Sequence, residues 1–240
     1  MRSLTEIDGV LLVDKARGMT SHDVVAITRR CLNFKKIGHC GTLDPLATGL
    51  LILVLGRGTK IQDLLMSEDK EYVGTLTLGL TTDSQDADGE VVETKPVPEL
   101  SREQLEGAFK KFDGDFYQMP PMVSAIKKEG VPLYKLARQG KTVEREPRFV
   151  HVFTHEIKAV RLPAVEFRVV CSKGFYVRTY AHDIGAELGC GAHLQELRRT
   201  KSGRFDLSRA VTVEDLQTKE PREILDKILT LPEVSRMRGA

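Results

Sequence analysis

The sequence of 240 residues predicts an α+β fold, with a mixed and largely antiparallel central sheet flanked by helices. Apolar and polar residues alternate over 72–78 and 165–171, which predicts two strands that each bury one face. Apolar residues recur at helical spacing over 21–32 and 177–188, which predicts two amphipathic helices. The strands and helices follow no regular βαβ rhythm, so a purely parallel α/β sheet is disfavoured.

The first part of the chain allows its elements to be predicted in order. An apolar run bounded by glycine predicts a buried strand over Gly9–Lys15. Ser21 is the predicted N-cap of the first helix, with Asp23 in its first turn. A glycine-rich stretch over 38–49 then leads into an apolar run over 50–55, so a loop is expected to end at a buried strand.

The second part of the chain contains a helix signal, a break and a basic segment. Ser101 and Gln104 form a capping box that predicts a short amphipathic helix after residue 101. The pair Pro120-Pro121 predicts the end of regular structure, followed by a long excursion with a short helix around 133–138. A last helix is predicted over 222–229.

Composition and charge exclude several classes of protein. Hydrophobic residues make up 41% of the chain and charged residues 29%, with a net charge of +2, which excludes intrinsic disorder, collagen and coiled coil. The longest apolar run, over 50–55, is far shorter than the roughly 20 residues of a membrane span. The first residues lack the apolar core of a signal peptide, so a cytoplasmic protein is expected.

The cysteines give no sign of a metal site or a disulfide framework. They lie far apart and show no CxxC spacing, whereas zinc sites show close ligand pairs. We therefore expect no metal and four reduced thiols, at Cys31, Cys40, Cys171 and Cys190.

The charges are unevenly distributed in spite of the small net charge. Residues 123–150 contain seven basic and three acidic residues, and residues 193–209 contain five basic and two acidic residues. Residues 83–93 contain five acidic residues and no basic one. A chain with separate basic and acidic surfaces can hold a polyanion on one face, although the same segments can also be ordinary solvated faces.

The glycine-rich stretch over 38–49 surrounds one carboxylate, that of Asp44. Because GxGxxG and GxxxxGK[ST] are both missing, a nucleotide cofactor is not supported. Glycines can shape a loop that holds a carboxylate at the floor of a cleft, whereas Asp before Pro45 is also common as a turn residue. A lone Asp cannot supply the two carboxylates of a glycosidase, but it can act as nucleophile or base on a sugar carbon.

The same stretch, GHCGTLDPLATG, resembles the signature of the TruB family of tRNA pseudouridine synthases, of the bacterial type. Further blocks resemble the family in the family's order, together spanning roughly residues 9–216: GVLLVDK at 9–15, KEY at 70–72, TDSQDADG at 82–89, SAIK at 124–127, Y-x-x-AR-x-G at 134–140, CSKGFYVRT at 171–179 and LGCGAHL with LRR at 188–199. The resemblance implies the pseudouridine synthase fold and isomerisation of uridine to pseudouridine in the T-loop of tRNA (position 55), without cofactor or metal.

By this resemblance Asp44 is the catalytic carboxylate and Arg178 is the arginine that pairs with it. An ionised carboxylate can trap or stabilise C1′ as the glycosidic bond breaks, and a guanidinium keeps the carboxylate ionised. Tyr72 matches the tyrosine that stacks on the target base, and Tyr176 and Leu197 match the wall of the base pocket. Without the resemblance, Tyr72 is interpreted as an ordinary strand aromatic and Arg178 as a surface arginine.

Three more positions complete the implied site. His39 matches the histidine that fills the space left by the flipped uridine, which offsets part of the cost of base flipping. Lys15 and Asp86 match family positions that support the cleft. The substrate-binding residues implied by the resemblance are therefore His39, Tyr72, Tyr176, Arg178, Leu197 and Lys15.

The basic segment at about 120–150 corresponds to the family's RNA-gripping insertion. Its cations are expected to meet phosphates of the T-arm stem-loop, which positions the RNA without reading its sequence. The predicted RNA-binding residues are Lys127, Lys128, Arg138, Lys141, Arg198 and Arg199. Where the family often has proline or an aromatic, this chain has Ala16 and Val123, which loosens one turn and weakens one contact.

The domain and partner expectations follow from the same resemblance. We expect one catalytic domain over 1–240, without the separate C-terminal PUA domain that many members carry, acting as a monomer without an obligatory protein partner. An alternative is a tRNA-binding or tRNA-folding factor whose catalysis is incidental or absent. A glycosidase of small nucleosides is disfavoured because it has no use for two basic segments.

Overall fold

The structure, a computed structural model, divides into two compact units. Unit 1 comprises residues 1–72 and 198–240, and unit 2 comprises residues 73–197. The single catalytic domain expected from the sequence stays a prediction. The residues that the structure describes are 7–122, 127–128, 131–132, 143 and 145–239.

The elements confirm an α+β chain in which strands predominate. In chain order the strands are β1 (Gly9–Lys15), β2 (Ile37–Cys40), β3 (Thr48–Leu55), β4 (Lys70–Leu78), β5 (Leu80–Thr82), β6 (Val91–Thr94), β7 (Gly114–Gln118), β8 (Lys127–Lys128), β9 (Val131–Pro132), β10 (Arg148–Arg161), β11 (Ala164–Cys171), β12 (Ala192–Ser202), β13 (Phe205–Asp206) and β14 (Val211–Thr212). The α-helices are α1 (Ser21–Leu32), α2 (Gln62–Met66), α3 (Arg102–Lys110), α4 (Val177–Glu187), α5 (Val213–Thr218), α6 (Pro221–Leu225) and α7 (Leu231–Arg238). Among the described residues, no helix has both the length and the apolar composition needed to cross a membrane.

Strand β3 is the centre of the sheet in unit 1. Its residues 49–55 are all buried, which explains the continuous apolar run, because a strand covered on both faces needs no polar alternation. One edge of β3 pairs antiparallel with β1, and β14 then pairs in parallel with β1. The other edge of β3 pairs antiparallel with β2 over Ile37–Cys40 and in parallel with β12 at Thr48 and Gly49.

Unit 2 contains a sheet in which neighbouring strands follow the order β12, β4, β11, β10, β7. Strands β4 and β11 bury every second residue, as their alternating sequences predict. Strand β10 pairs antiparallel with both β11 and β7. Phe167 of β11 packs against Phe109 of α3 and Tyr180 of α4, with ring centroids 5.8 and 5.9 Å apart, so these helices cover one face of the sheet.

Several predicted elements are confirmed and two need correction at their ends. The strands at 9–15, 72–78 and 165–171, the helix after the capping box at residue 101 and the helix at 177–188 are all present. The N-cap prediction for Ser21 is wrong by one residue. Thr20 is the N-cap: its side chain accepts from Asp23 N at 3.1 Å, and its own N–H donates to the Asp23 carboxylate at 2.8 Å.

The predicted helix over 222–229 is too long. Helix α6 ends at Leu225, and Leu229 instead exchanges two main-chain hydrogen bonds with Val10 of β1, at 2.9 and 2.8 Å. A residue that pairs with a strand in both directions cannot continue a helix. The chain then forms α7, which was not predicted from the sequence, and the helix predicted around 133–138 lies outside the described residues.

Candidate functional site

The loop over residues 41–47, called the Asp44 loop below, connects β2 to β3 in unit 1. Its main chain is hydrogen-bonded to the segment around the start of α1. Ser21 Oγ accepts from Leu43 N at 2.9 Å, and Gly18 N donates to Pro45 O at 2.8 Å. The side chain that was predicted to cap α1 therefore fixes the Asp44 loop instead.

The Asp44 loop is also anchored by its own apolar side chains. Leu43, Leu46 and Ala47 are buried, whereas Asp44 is partly exposed and Pro45 is exposed. Ala47 N donates to Asp44 O at 3.0 Å, which closes a turn through main-chain groups. Asp44 thus lies on a loop whose flanking side chains are packed into the core.

Lys15, at the end of β1, lies beneath this loop. The side chain is fully buried, and Nζ donates to Ala16 O at 2.9 Å, Met19 O at 2.7 Å and Pro45 O at 3.4 Å. Burial lowers the pKa of Lys15 to about 8, although the nearby Asp44 carboxylate acts in the opposite direction. Lys15 therefore joins the turn before α1 to the residue that follows Asp44.

Arg198 and Arg199 lie next to each other on β12 but point to opposite faces, as successive strand residues do. Arg198 is partly exposed and pairs with the Asp14 carboxylate through both of its terminal nitrogens, at 3.0 and 2.6 Å. Arg199 is 2% exposed and donates from Nε to Leu50 O at 2.7 Å and from a terminal nitrogen to Gly41 O at 3.1 Å. A guanidinium buried in this way has no surface to offer a phosphate, so the RNA contact expected for Arg199 is replaced by contacts to the main chain.

His39 and Tyr72 are the other predicted residues of unit 1. His39 lies on β2, where its ring meets the edge of His22 at a centroid distance of 5.1 Å. Burial lowers the pKa of His39 to about 4, helped by His22 and Arg199, so the ring is neutral at pH 7. Tyr72 lies on β4 with its side chain almost entirely buried.

Arg178 and Asp86 meet in unit 2. Both side chains are buried, and an Arg178 terminal nitrogen lies 3.6 Å from an Asp86 carboxylate oxygen and donates to Ser84 O at 3.0 Å. Asp86 also accepts from Asp88 N at 3.2 Å. Burial at the first turn of α4 corrects the interpretation of Arg178 as a surface arginine.

Tyr176 and Leu197 are also in unit 2. The main chain of Tyr176 is held by the amide of Gln118, which accepts from Tyr176 N at 2.8 Å and donates to Tyr176 O at 3.0 Å. Leu197 is buried on β12. The role of Gln118 was missed, because a contact over 58 residues leaves no local pattern in the sequence.

The structure thus brings the predicted residues together in two groups. In unit 1, Lys15 and Arg199 hold the Asp44 loop, and in unit 2 Arg178 lies against Asp86. The pairing of Asp44 with Arg178 stays a prediction. Of the insertion, Lys127 and Lys128 form β8, whereas Arg138, Lys141 and Val123 lie outside the described residues. No group of three or more His, Cys, Asp or Glu residues in the described ranges is arranged to hold a metal ion.

Comparisons with known proteins match almost the whole chain to one family. A family model described as TruB family pseudouridylate synthase (N terminal domain) matches residues 29–177, and one described as tRNA pseudouridylate synthase B C-terminal domain matches residues 178–232. A protein of Opitutus terrae named tRNA pseudouridine synthase B is 56% identical over 224 residues, which are 93% of each chain. A protein of Syntrophotalea carbinolica with the same name is 48% identical over 96% of this chain and 75% of that protein.

A solved structure supports the same grouping. A chain from the crystal structure of a Cbf5-Nop10-Gar1 complex superposes with a TM-score of 0.76 at 30% sequence identity. The match covers 98% of this chain and 64% of that chain. The mixed sheet with its helices is therefore the pseudouridine synthase fold predicted from the sequence, and the chain belongs to the TruB family of pseudouridylate synthases.

Proposed function

We propose that this protein isomerises uridine to pseudouridine in tRNA, at the T-loop uridine at position 55, with Asp44 as the catalytic carboxylate. The family and the relatives named tRNA pseudouridine synthase B support the reaction class. The observation that carries the assignment of Asp44 is its setting, a partly exposed carboxylate on a loop whose main chain is fixed by Ser21, Gly18 and Arg199. A fixed carboxylate can meet a reacting carbon without first being ordered.

The reaction exchanges one bond to the sugar for another. The N1–C1′ bond of uridine breaks and a C5–C1′ bond forms, while C5 loses a proton and N1 gains one, so the product is an isomer. As the first bond breaks, C1′ becomes electron-poor, and an ionised carboxylate beside it can attack or stabilise that carbon. The uracil must stay bound while it rotates, which favours a pocket with little water.

The remaining predicted residues are assigned to binding the substrate. Tyr72 supplies a flat ring for stacking on the base, and Tyr176 and Leu197 supply apolar surface for the pocket. His39 is uncharged at pH 7 and half-buried, which suits a side chain that replaces a flipped base in a stack. Arg178 supplies the fixed positive charge, held in orientation by Ser84 O and Asp86.

The partner that we propose is the T-arm stem-loop of tRNA, bound by a monomer in the cytoplasm. Lys127, Lys128, Arg138 and Lys141 of the insertion are assigned to phosphate contacts, together with the partly exposed Arg198. Because these contacts are electrostatic, binding should weaken as the salt concentration rises. A tRNA-folding factor without catalysis is the competing proposal, and it uses the same cations.

The test is to incubate the purified protein with an unmodified T-arm stem-loop RNA and with full-length tRNA. Pseudouridine is mapped by a chemical adduct that stops primer extension. We expect one stop at the T-loop uridine with the wild-type chain and none with Asp44→Asn, while RNA binding stays nearly unchanged. Asp63→Asn, an exposed aspartate on α2, is the matched control and should retain the stop.

The outcomes separate the two proposals. A wild-type chain that binds tRNA but produces no stop on either RNA would favour the tRNA-folding factor. A stop that persists with Asp44→Asn would leave the reaction class intact and refute the role of Asp44. A stop on full-length tRNA alone would support the reaction and show that contacts beyond the T-arm are required.

A further inference from the structure

Arg199 is an arginine that the proposed function does not assign to RNA binding. It lies on β12 in the basic segment 193–209, yet its side chain is 2% exposed, among the largest fully enclosed side chains of the described residues. The neighbouring Arg198 points to the opposite face and forms an ion pair with Asp14. Burying a guanidinium costs free energy, and the hydrogen bonds of the Arg199 guanidinium must offset this cost.

The guanidinium of Arg199 contacts the first residue of the Asp44 loop and the strand that follows the loop. A terminal nitrogen donates to the carbonyl of Gly41, the first residue of the loop, at 3.1 Å. Nε donates to the carbonyl of Leu50, just after the loop has entered β3, at 2.7 Å. The main chain of Arg199 is in addition the parallel partner of Gly49 in the sheet. Arg199 therefore fixes the distance between Gly41 and Leu50, which lie on either side of Asp44 in the sequence.

Two glycines make room for this arrangement, Gly41 at the start of the loop and Gly49 in β3 just after it. A Cβ atom on Gly49 would lie 2.3 Å from the carbonyl oxygen of Arg199, and a Cβ atom on Gly41 would lie 3.3 Å from a terminal nitrogen of Arg199. Both glycines have positive φ, +97° and +75°, which side-chain-bearing residues rarely adopt. Gly41 and Gly49 therefore leave space for Arg199, in addition to allowing the positive φ angles.

We propose that Arg199 is a positioning residue for Asp44, which sets the carboxylate in place by joining Gly41 to Leu50. This inference rests on the proposed function, because it assigns Arg199 a purpose in that reaction. The planar guanidinium offers several donors in fixed directions and keeps its charge, so it can hold two carbonyls at once. A lysine at this position would keep the charge but offers one ammonium group, which cannot reproduce the fork.

The decisive variant is Arg199→Lys, assayed by single-turnover conversion of the T-arm RNA under excess protein. A misplacement of about 1 Å can cost roughly 100-fold in rate, so we expect the rate constant to fall by about that factor. The RNA dissociation constant should stay within about threefold, because Arg199 has no exposed surface for RNA. Arg29→Lys is the matched control, since Arg29 also donates to a main-chain carbonyl of unit 1, that of Ile37, away from the Asp44 loop.

The rate constant and the amplitude of the single-turnover reaction distinguish a positioning role of Arg199 from a role in folding alone. If Arg199 only stabilises the fold, Arg199→Lys lowers the fraction of active protein, and the amplitude falls while the rate constant stays at the wild-type value. That result, or a variant with wild-type rate and amplitude, would overturn the inference. If the wild-type chain itself makes no pseudouridine, the proposed function has failed, and the two failures are therefore distinct.

A second variant tests the contact between Gly41 and Arg199 by changing Gly41. Gly41→Ala places a methyl group against the Arg199 guanidinium and is expected to lower the single-turnover rate constant without weakening RNA binding. Because both variants disturb one contact, their effects in the double variant should be clearly less than additive. Full additivity would contradict the proposal, and Gly41→Ala keeps it testable if Arg199→Lys does not fold.

Discussion

Burial of Lys15 should make the stability of this protein depend on pH in a defined window. The folded chain lowers the pKa of Lys15 from 10.5 to about 8, because the side chain is removed from water. The unfolded chain therefore keeps this proton up to higher pH than the folded chain does. Wherever the unfolded state binds more protons, the free energy of unfolding rises with pH, so this contribution grows as pH rises through 8.

The size of the effect follows from the two pKa values. Between pH 7 and pH 9 the folded lysine goes from about nine-tenths to about one-tenth protonated, whereas the unfolded lysine stays protonated. Integrating that difference gives about 1.3 kcal/mol, out of about 3 kcal/mol for the complete shift from 10.5 to about 8. The free energy of unfolding of the wild type, minus that of Lys15→Met, should thus rise by about 1.3 kcal/mol from pH 7 to pH 9.

Urea denaturation at several pH values measures this difference. Using the difference between wild type and Lys15→Met cancels the titration of every other group that the substitution leaves unchanged. Lys60→Met, at an exposed lysine of the same unit, is the control and should show no such trend. A wild-type minus Lys15→Met difference that is constant from pH 7 to pH 9, or that falls, would refute the argument that burial dominates at Lys15.

Two further predictions concern a glycine and the thiols. Gly49→Ala should lower the free energy of unfolding by about 3 to 5 kcal/mol, because position 49 has a left-handed backbone and the added Cβ would clash with the Arg199 carbonyl. The control is Gly189→Ala, at φ +78° with no atom within 4 Å of the added Cβ, which should lower the free energy of unfolding by about 1 to 2 kcal/mol. Urea denaturation of both variants measures the two changes in unfolding free energy, and equal changes would contradict the predicted clash at Gly49. Burial raises the pKa of the Cys40 thiol to about 12, so iodoacetamide at pH 8 should modify the partly exposed Cys31 first and Cys40 only after unfolding, as mass spectrometry of peptides can show.

The elements that the sequence predicts correctly are those with a regular pattern of buried and exposed residues. Strand β11 buries one residue in two without interruption, and α3 carries a complete capping box at Ser101. Strand β10, over Arg148–Arg161, was missed, although it is the longest strand of the described residues. Its register shifts at Val152/Thr154 and Ile157/Ala159, and it exposes Phe149 and Phe153, so the alternation that reveals a strand is broken.

The sequence predicts the loop of the site and Lys15 as a supporting residue, but not the supporting contacts of Arg199 and Ser21. The density of glycines around Asp44 and the motif of the family both pointed to residues 38–49. The buried position of Arg199 was not predictable, because a cation in a basic segment is ordinarily exposed. Serine at a helix start predicts a cap, whereas the hydrogen bond of Ser21 to Leu43 depends on a neighbour 22 residues away. Hydrogen bonds between residues so far apart leave no periodic pattern in the sequence.

The connection between β2 and β3 has a consequence for amide hydrogen exchange. Loops ordinarily exchange through local opening, at a free-energy cost well below that of global unfolding. The loop that carries Asp44 leads into β3, whose residues 49–55 are all buried, and Leu43, Leu46 and Ala47 are in the core. The amide of Leu43, bonded to Ser21, should therefore exchange as slowly as those of β3. We therefore expect the candidate catalytic segment to open together with β3, among the last parts of unit 1.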